Sequence, residues 1–228
     1  PRGQRRVRVC VQSACTGRLL RAGLDPYTHG VAWLPGWFQL GVDPAWADTP
    51  TPYGPLFLAV QSAVVGVTGD APWWSMVLFR LLCLLATGLM LMAIRELAAM
   101  HGIEPQAAVW LAALNPVTLM HLVLAAHNDA LMIAAMCWAF VFSLRGQKPA
   151  AVLAIAAAIA IKPIAVVALP FVVLGWLPRS STLLRRILSL LAATVGSAIL
   201  IFAGGKLLGV GLGWISALTT PGAVRTLL

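Results

Sequence analysis

The residues of this chain that could do chemistry are few, and they lie far apart in the sequence. Asp25 stands in Leu24-Asp25-Pro26-Tyr27. A carboxylate there could take a proton from an acceptor hydroxyl, and an Asp-Pro pair equally opens a turn. Asp48 begins a proline-rich run, Asp48-Thr49-Pro50-Thr51-Pro52-Tyr53-Gly54-Pro55-Leu56, which reads as a rigid corner leading into a helix. His127-Asn128-Asp129 sets a histidine beside a carboxylate between two apolar blocks. Asn128 or Asp129 could simply cap the next helix, and the pair could also orient a phosphate or a sugar. Arg80 and Lys162 are cations inside apolar blocks, where a charge is costly and faces a cavity or a partner. Cations so placed suit an anionic, phosphate-like leaving group.

The elements that must hold these residues are membrane helices. The chain has 228 residues, 60% of them hydrophobic and 10% charged, and its mean hydropathy is +0.89. Apolar blocks of about 20 residues match the hydrocarbon thickness of a bilayer. A soluble domain is thereby excluded. The net charge of +9 does not mark a nucleic-acid binder, because the basic residues flank apolar blocks and form no stripe with interleaved aromatics. Cys83 and Cys137 lie in apolar blocks as small hydrophobes, and Cys10 and Cys15 lie in the N-terminal stretch. No Cys or His pair has the spacing of a metal site, so neither a disulfide framework nor a zinc site is implied.

The expected architecture is an all-α, polytopic transmembrane helix bundle, present in part. Residues 1–22 form a basic stretch with Arg2, Arg5, Arg6, Arg8, Arg18 and Arg21, read as a tail or as foreign to the fold. Residues 23–54 form a loop whose Trp33, Trp37 and Trp46 suit a membrane interface. Residues 55–228 form the incomplete bundle. In it, 55–68 is a half-length helix of about 21 Å. Full spans follow at 73–94, at 106–125 (broken by Asn115-Pro116), at 129–144 and at 187–208, with 149–161 and 163–177 as short arms around Lys162-Pro163. The chain has no initiator Met and stops at Leu228, so further spans are expected on both sides. Arg95, Arg145, Lys148, Arg179, Arg185 and Arg186 put alternate loops in the cytoplasm by the positive-inside rule. The 23–54 loop, Arg80, His127-Asn128-Asp129 and Lys162 then converge on the opposite side.

Taken together, Asp25-Pro26-Tyr27, the Trp46 to Phe57 run, Asn115-Pro116, His127-Asn128-Asp129-Ala130-Leu131-Met132 and Lys162-Pro163 resemble the polyprenol-phosphomannose-dependent α-1,6-mannosyltransferases of lipomannan and lipoarabinomannan synthesis. The resemblance runs from residue 18 to about 177 in order and in register, and members of that family are about twice as long. It implies a GT-C fold in the cell membrane with its active site on the extracytoplasmic face. It implies a polyprenyl-phosphate mannose donor, a lipid-anchored α-1,6-mannan acceptor and no cofactor. It places the general base on Asp25, with Asp48 in reserve. Tyr27, Tyr53, Arg80, His127, Asn128, Asp129 and Lys162 are then expected to bind substrate. A β-linked donor giving an α-product implies a single inverting displacement. A membrane transporter or lipid-sugar flippase is the competing reading, since broken helices and intramembrane charges build carrier sites as well.

Overall fold

The computed structural model describes residues 2–42, 44–69 and 71–218. The side chains of Arg2, Arg5, Arg6, Arg8 and Cys10 lie outside the description. The described residues are helical or irregular, with no strand among them.

The basic N-terminal stretch is a helix, α1 (Arg2–Arg21), with Val11, Ala14, Cys15 and Leu19 buried. It packs alongside α2 (Pro55–Thr68). At Gly17 an added Cβ would collide with the Gln61 backbone carbonyl, so the two helices touch backbone to backbone. Between them, residues 23–54 hold only short 3-10 turns at Val31–Trp33 and Pro44–Trp46. Pro55 starts α2 from an extended Gly54, and Gly69, at φ 58°, stops it. Thr68 and Ser75 hydroxyls, 2.7 Å apart, tie this end to α3 (Pro72–Met100), which turns back along the bundle.

α3 is long and apolar enough to cross a membrane, and so is α8 (Leu183–Leu207). Large apolar side chains such as Leu81, Leu85, Leu188 and Ile199 are exposed on them. On a water-soluble protein that much apolar surface would be anomalous, whereas facing lipid it is expected. α4 (Pro105–Ala113) is capped by the Glu104 carboxylate, which accepts from the Gln106 and Ala107 amides. It breaks at Asn115-Pro116, where the chain bends by 70° into a π-helical segment, Thr118–Leu124. Pro116 has no amide to donate, and the Asn115 side chain accepts from the Val117 amide at 2.8 Å, which stabilises the break.

α5 (Asp129–Leu144) and α6 (Lys148–Ile161) form an antiparallel hairpin. α6 ends at Lys162, whose φ −147° and ψ 115° are the extended geometry that the residue before a proline prefers. A 3-10 turn, Pro163–Ala168, and α7 (Leu169–Gly175) complete this broken arm. The apolar core lies between α2, α3, α5, α6 and α7, with Phe57, Phe79, Met90, Ala130, Ile155 and Val172 buried in it.

Candidate functional site

Three breaks in regular structure meet at one level of the bundle: the Tyr53-Gly54 corner before α2, the turn before α5, and the Lys162-Pro163 break after α6. The Gly54 amide donates to the Ile161 carbonyl at 3.0 Å. A Cβ on Gly54 would run into the Ala160 carbonyl, so only glycine lets the corner lie against the end of α6. Before α5, Ala126 is held at φ 49°, the one non-glycine residue with positive φ among those described. That sparsely populated conformation turns the chain so that His127 faces Asp129.

Asp129 is the hub. Its Oδ1 accepts from Lys162 Nζ at 2.7 Å, and its Oδ2 lies 2.7 Å from His127 Nδ1. The three side chains are partly exposed, at 28%, 27% and 28% for His127, Asp129 and Lys162. Lys162, a cation expected to face a cavity or a partner, has Asp129 as that partner, which neutralises it. Tyr53 is buried close by. Its phenol is pushed up to about 12, first by burial and then by the Asp129 charge, so it stays a hydroxyl donor near neutral pH.

The 23–54 loop joins the same region. Tyr27 Oη donates to the Tyr53 carbonyl at 2.8 Å, and the Thr51 amide donates to the Pro26 carbonyl at 3.0 Å. Burial, with the Asp25 carboxylate beside it, raises the Tyr27 phenol. Asp25 Oδ1 accepts from the Tyr27 amide at 2.9 Å, the side-chain turn that Asp-Pro sequences favour. The other Asp25 carboxylate oxygen has no hydrogen-bond partner among the described residues. Asp48 is exposed farther along the loop, with its backbone against Gly30. Arg80 is exposed on α3, one turn from Cys83, and forms no ion pair among the described residues.

α3 and α5 run parallel, and their contacts give the depth. Cys83 Sγ donates to the His127 carbonyl, Trp138 Nε1 donates to the Leu89 carbonyl, and Arg145 pairs with Glu96. His127 therefore sits about 15 Å along α3 from the exposed Trp73 and about 18 Å from Arg95. Sequence reasoning put the cluster toward one membrane face, and beside α3 it lies near the middle of the helix. Among the described residues, no group of three or more His, Cys, Asp or Glu comes together as a metal centre.

Two further features adjoin the cluster. Asn128 is 4% exposed, and neither end of its amide has a hydrogen-bond partner among the described residues. It lines a cavity of about 10 Å³ with Ser13, Tyr53, Phe57 and Cys83, room for about one water. An apolar groove of about 340 Å³ also starts at Pro55 and Ala160 and continues past Ala59, Ala156, Ile201 and Gly204, between α2, α6 and α8. The small residues that line it gave no signal beyond close helix packing.

Residues 13–179 match the family described as alpha-(1->6)-mannopyranosyltransferase, N-terminal domain. Over 208 residues the chain is 36% identical to alpha-(1->6)-mannopyranosyltransferase A of Mycobacterium tuberculosis, covering 89% of this chain and 40% of that protein. Over 157 residues it is 36% identical to alpha-(1->6)-mannopyranosyltransferase A of Corynebacterium glutamicum, covering 69% and 32%. To alpha-(1->6)-mannopyranosyltransferase B of the same organism the identity is 28% over 133 residues, covering 57% and 22%. The chain thus spans less than half the length of these curated relatives. No solved structure matches it.

Proposed function

We propose, from the premise that the chain belongs to the alpha-(1->6)-mannopyranosyltransferase family, that it carries part of the active site of a membrane enzyme adding mannose in α-1,6 linkage. The observation that supports this most is the meeting of the Asp25–Tyr53 loop with the His127–Asp129–Lys162 cluster, through Tyr27 and Tyr53. A glycosyl transfer needs an acid-base group and an anion-stabilising group within one substrate's length of each other.

The donor in this reading is a polyprenyl-phosphate mannose, and the acceptor is the 6-hydroxyl of a lipid-anchored mannan at the extracytoplasmic side of the cell membrane. Asp25 takes the hydroxyl proton as the oxygen attacks the anomeric carbon. The bond from that carbon to the phosphate oxygen breaks, and the polyprenyl phosphate leaves with the bonding pair. A single displacement inverts the anomeric centre. The free Asp25 oxygen is the one available to the proton, because the other is held by the Tyr27 amide. Asp48 is the reserve base. Arg80 and the His127–Asp129–Lys162 cluster serve the phosphate, Tyr27, Tyr53 and Asn128 shape the sugar site, and the apolar groove at Pro55 and Ala160 takes the lipid tail.

The test uses the full-length protein in membranes, with radiolabelled polyprenyl phosphomannose. Asn at position 25 keeps an oxygen for the Tyr27 amide but cannot accept the proton. Asp25→Asn should lower mannosyl transfer by about 100-fold or more at unchanged protein level. Retained turnover would remove Asp25 from the chemistry. A membrane carrier is the second reading, favoured by the depth of the cluster along α3. Solute uptake into sealed vesicles, without mannosyl transfer, would decide for it.

A further inference from the structure

The charge of the cluster turns on one proton. Lys162 and Asp129 cancel each other at 2.7 Å, so the pair alone offers an anion no net attraction. His127 is the remaining member. Its Nδ1 is buried and, among the described residues, has no partner besides the Asp129 carboxylate. A lone pair aimed at a carboxylate would be repelled, so Nδ1 carries hydrogen whether the ring is neutral or charged. The side chain is nevertheless 28% exposed, and with Nδ1 covered that exposure falls on the rest of the ring. Neutral His127 then offers a lone pair at Nε2, and protonated His127 offers an N–H.

We propose that His127 is a proton-gated ligand for the phosphate group of a lipid substrate or product. Protonated, it gives the His127–Asp129–Lys162 cluster one net positive charge and a charge-assisted donor. Neutral, it leaves the cluster uncharged and presents an acceptor, which repels phosphate oxygens. The groups facing His127 are Asp129 on α5, Lys162 after α6, Tyr53 at the loop end, and Cys83 on α3, whose thiol meets the His127 backbone carbonyl. Lys162 and His127 are the charged groups acting on Asp129, so no further carboxylate keeps the cluster neutral after His127 gains its proton. The inference rests on the proposed lipid-phosphate donor, and it assigns the pH dependence of donor affinity, beside the contribution of Arg80, to a single imidazole.

The experiment measures binding of a polyprenyl phosphate to the full-length protein in nanodiscs at about pH 5.5 to 8.5. Wild-type affinity should fall as the pH rises, approaching about tenfold per pH unit once most of the protein has lost the proton, until the weaker binding of the neutral form takes over. His127→Gln should bind weakly, showing only the shallow titration of the phosphate itself. His127→Arg should bind tightly across the range. Thermal unfolding establishes that each variant is folded, and if the Gln variant does not fold, the Arg variant carries the test. A pH dependence in His127→Gln or in His127→Arg as steep as wild type overturns the proposal. Transfer of mannose is read separately. Wild-type pH-gated phosphate binding without transfer would sink the enzymatic reading and leave this one standing, and transfer with ungated binding would do the reverse.

Discussion

Two ion pairs stand at opposite ends of α5. At its start, Asp129 holds Lys162 and His127. At its end, Arg145 meets Glu96 of α3 at 2.5 Å. Both couple helices that are distant in sequence, and both look equivalent as charge pairs. Their surroundings separate them. The Arg145–Glu96 pair lies open to solvent, at 39% and 43% side-chain exposure, where water competes and the net gain is small. The Asp129–Lys162 pair is flanked by a strained residue, a proline break and a glycine that admits a neighbouring backbone. A charged pair so placed costs desolvation, and it tolerates little change in the backbone that presents it. Position in the fold, more than charge, marks the first pair as a site and the second as a surface contact.

The sharpest way to break the contrast is through backbone, not charge. Gly54→Ala should destabilise the protein by about 3 kcal/mol, read as a lowered midpoint of denaturation in detergent. Its backbone angles, φ −78° and ψ 170°, suit any residue, so the whole effect must come from the collision with Ala160. An unchanged midpoint would mean that the corner and the end of α6 are not in contact. Next in size, Asp129→Ala leaves Lys162 without its carboxylate and should cost about 2 kcal/mol, less than a fully buried pair because a quarter of the side chain reaches solvent. Replacing both partners, Asp129→Leu with Lys162→Met, should restore most of that stability while abolishing activity. Smallest of all, Glu96→Gln should move stability by less than about 0.5 kcal/mol. A loss there as large as that of Asp129→Ala would erase the distinction.

The helical skeleton was largely legible because its signals are local. Pro55 after Gly54 announced α2, Asn115-Pro116 announced the break before the π-helical segment, and Lys162-Pro163 announced the end of α6. Each follows from a missing amide or a restricted φ, which the neighbouring residues reveal. The basic N-terminal stretch was harder. Its arginines suggest a tail, while Val11, Ala14, Cys15 and Leu19 supply a buried face that such a short apolar stripe does not advertise. Sequence reasoning also named the members of the cluster, since a charge or a histidine inside an apolar block is conspicuous.

A bundle of apolar helices, the points where it breaks, and the polar residues it cannot hide all follow from the order of amino acids. The length of the apolar blocks and the chemistry of proline and charge suffice for that. The tertiary structure alone decided that Asp129 neutralises Lys162 and also faces His127, that Tyr27 reaches the Tyr53 carbonyl, and that the cluster lies beside the middle of α3. These relations depend on how whole helices are offset along one another. In lipid that offset is set by small-residue contacts and backbone approach, summed over many weak terms, and no single residue's identity encodes it.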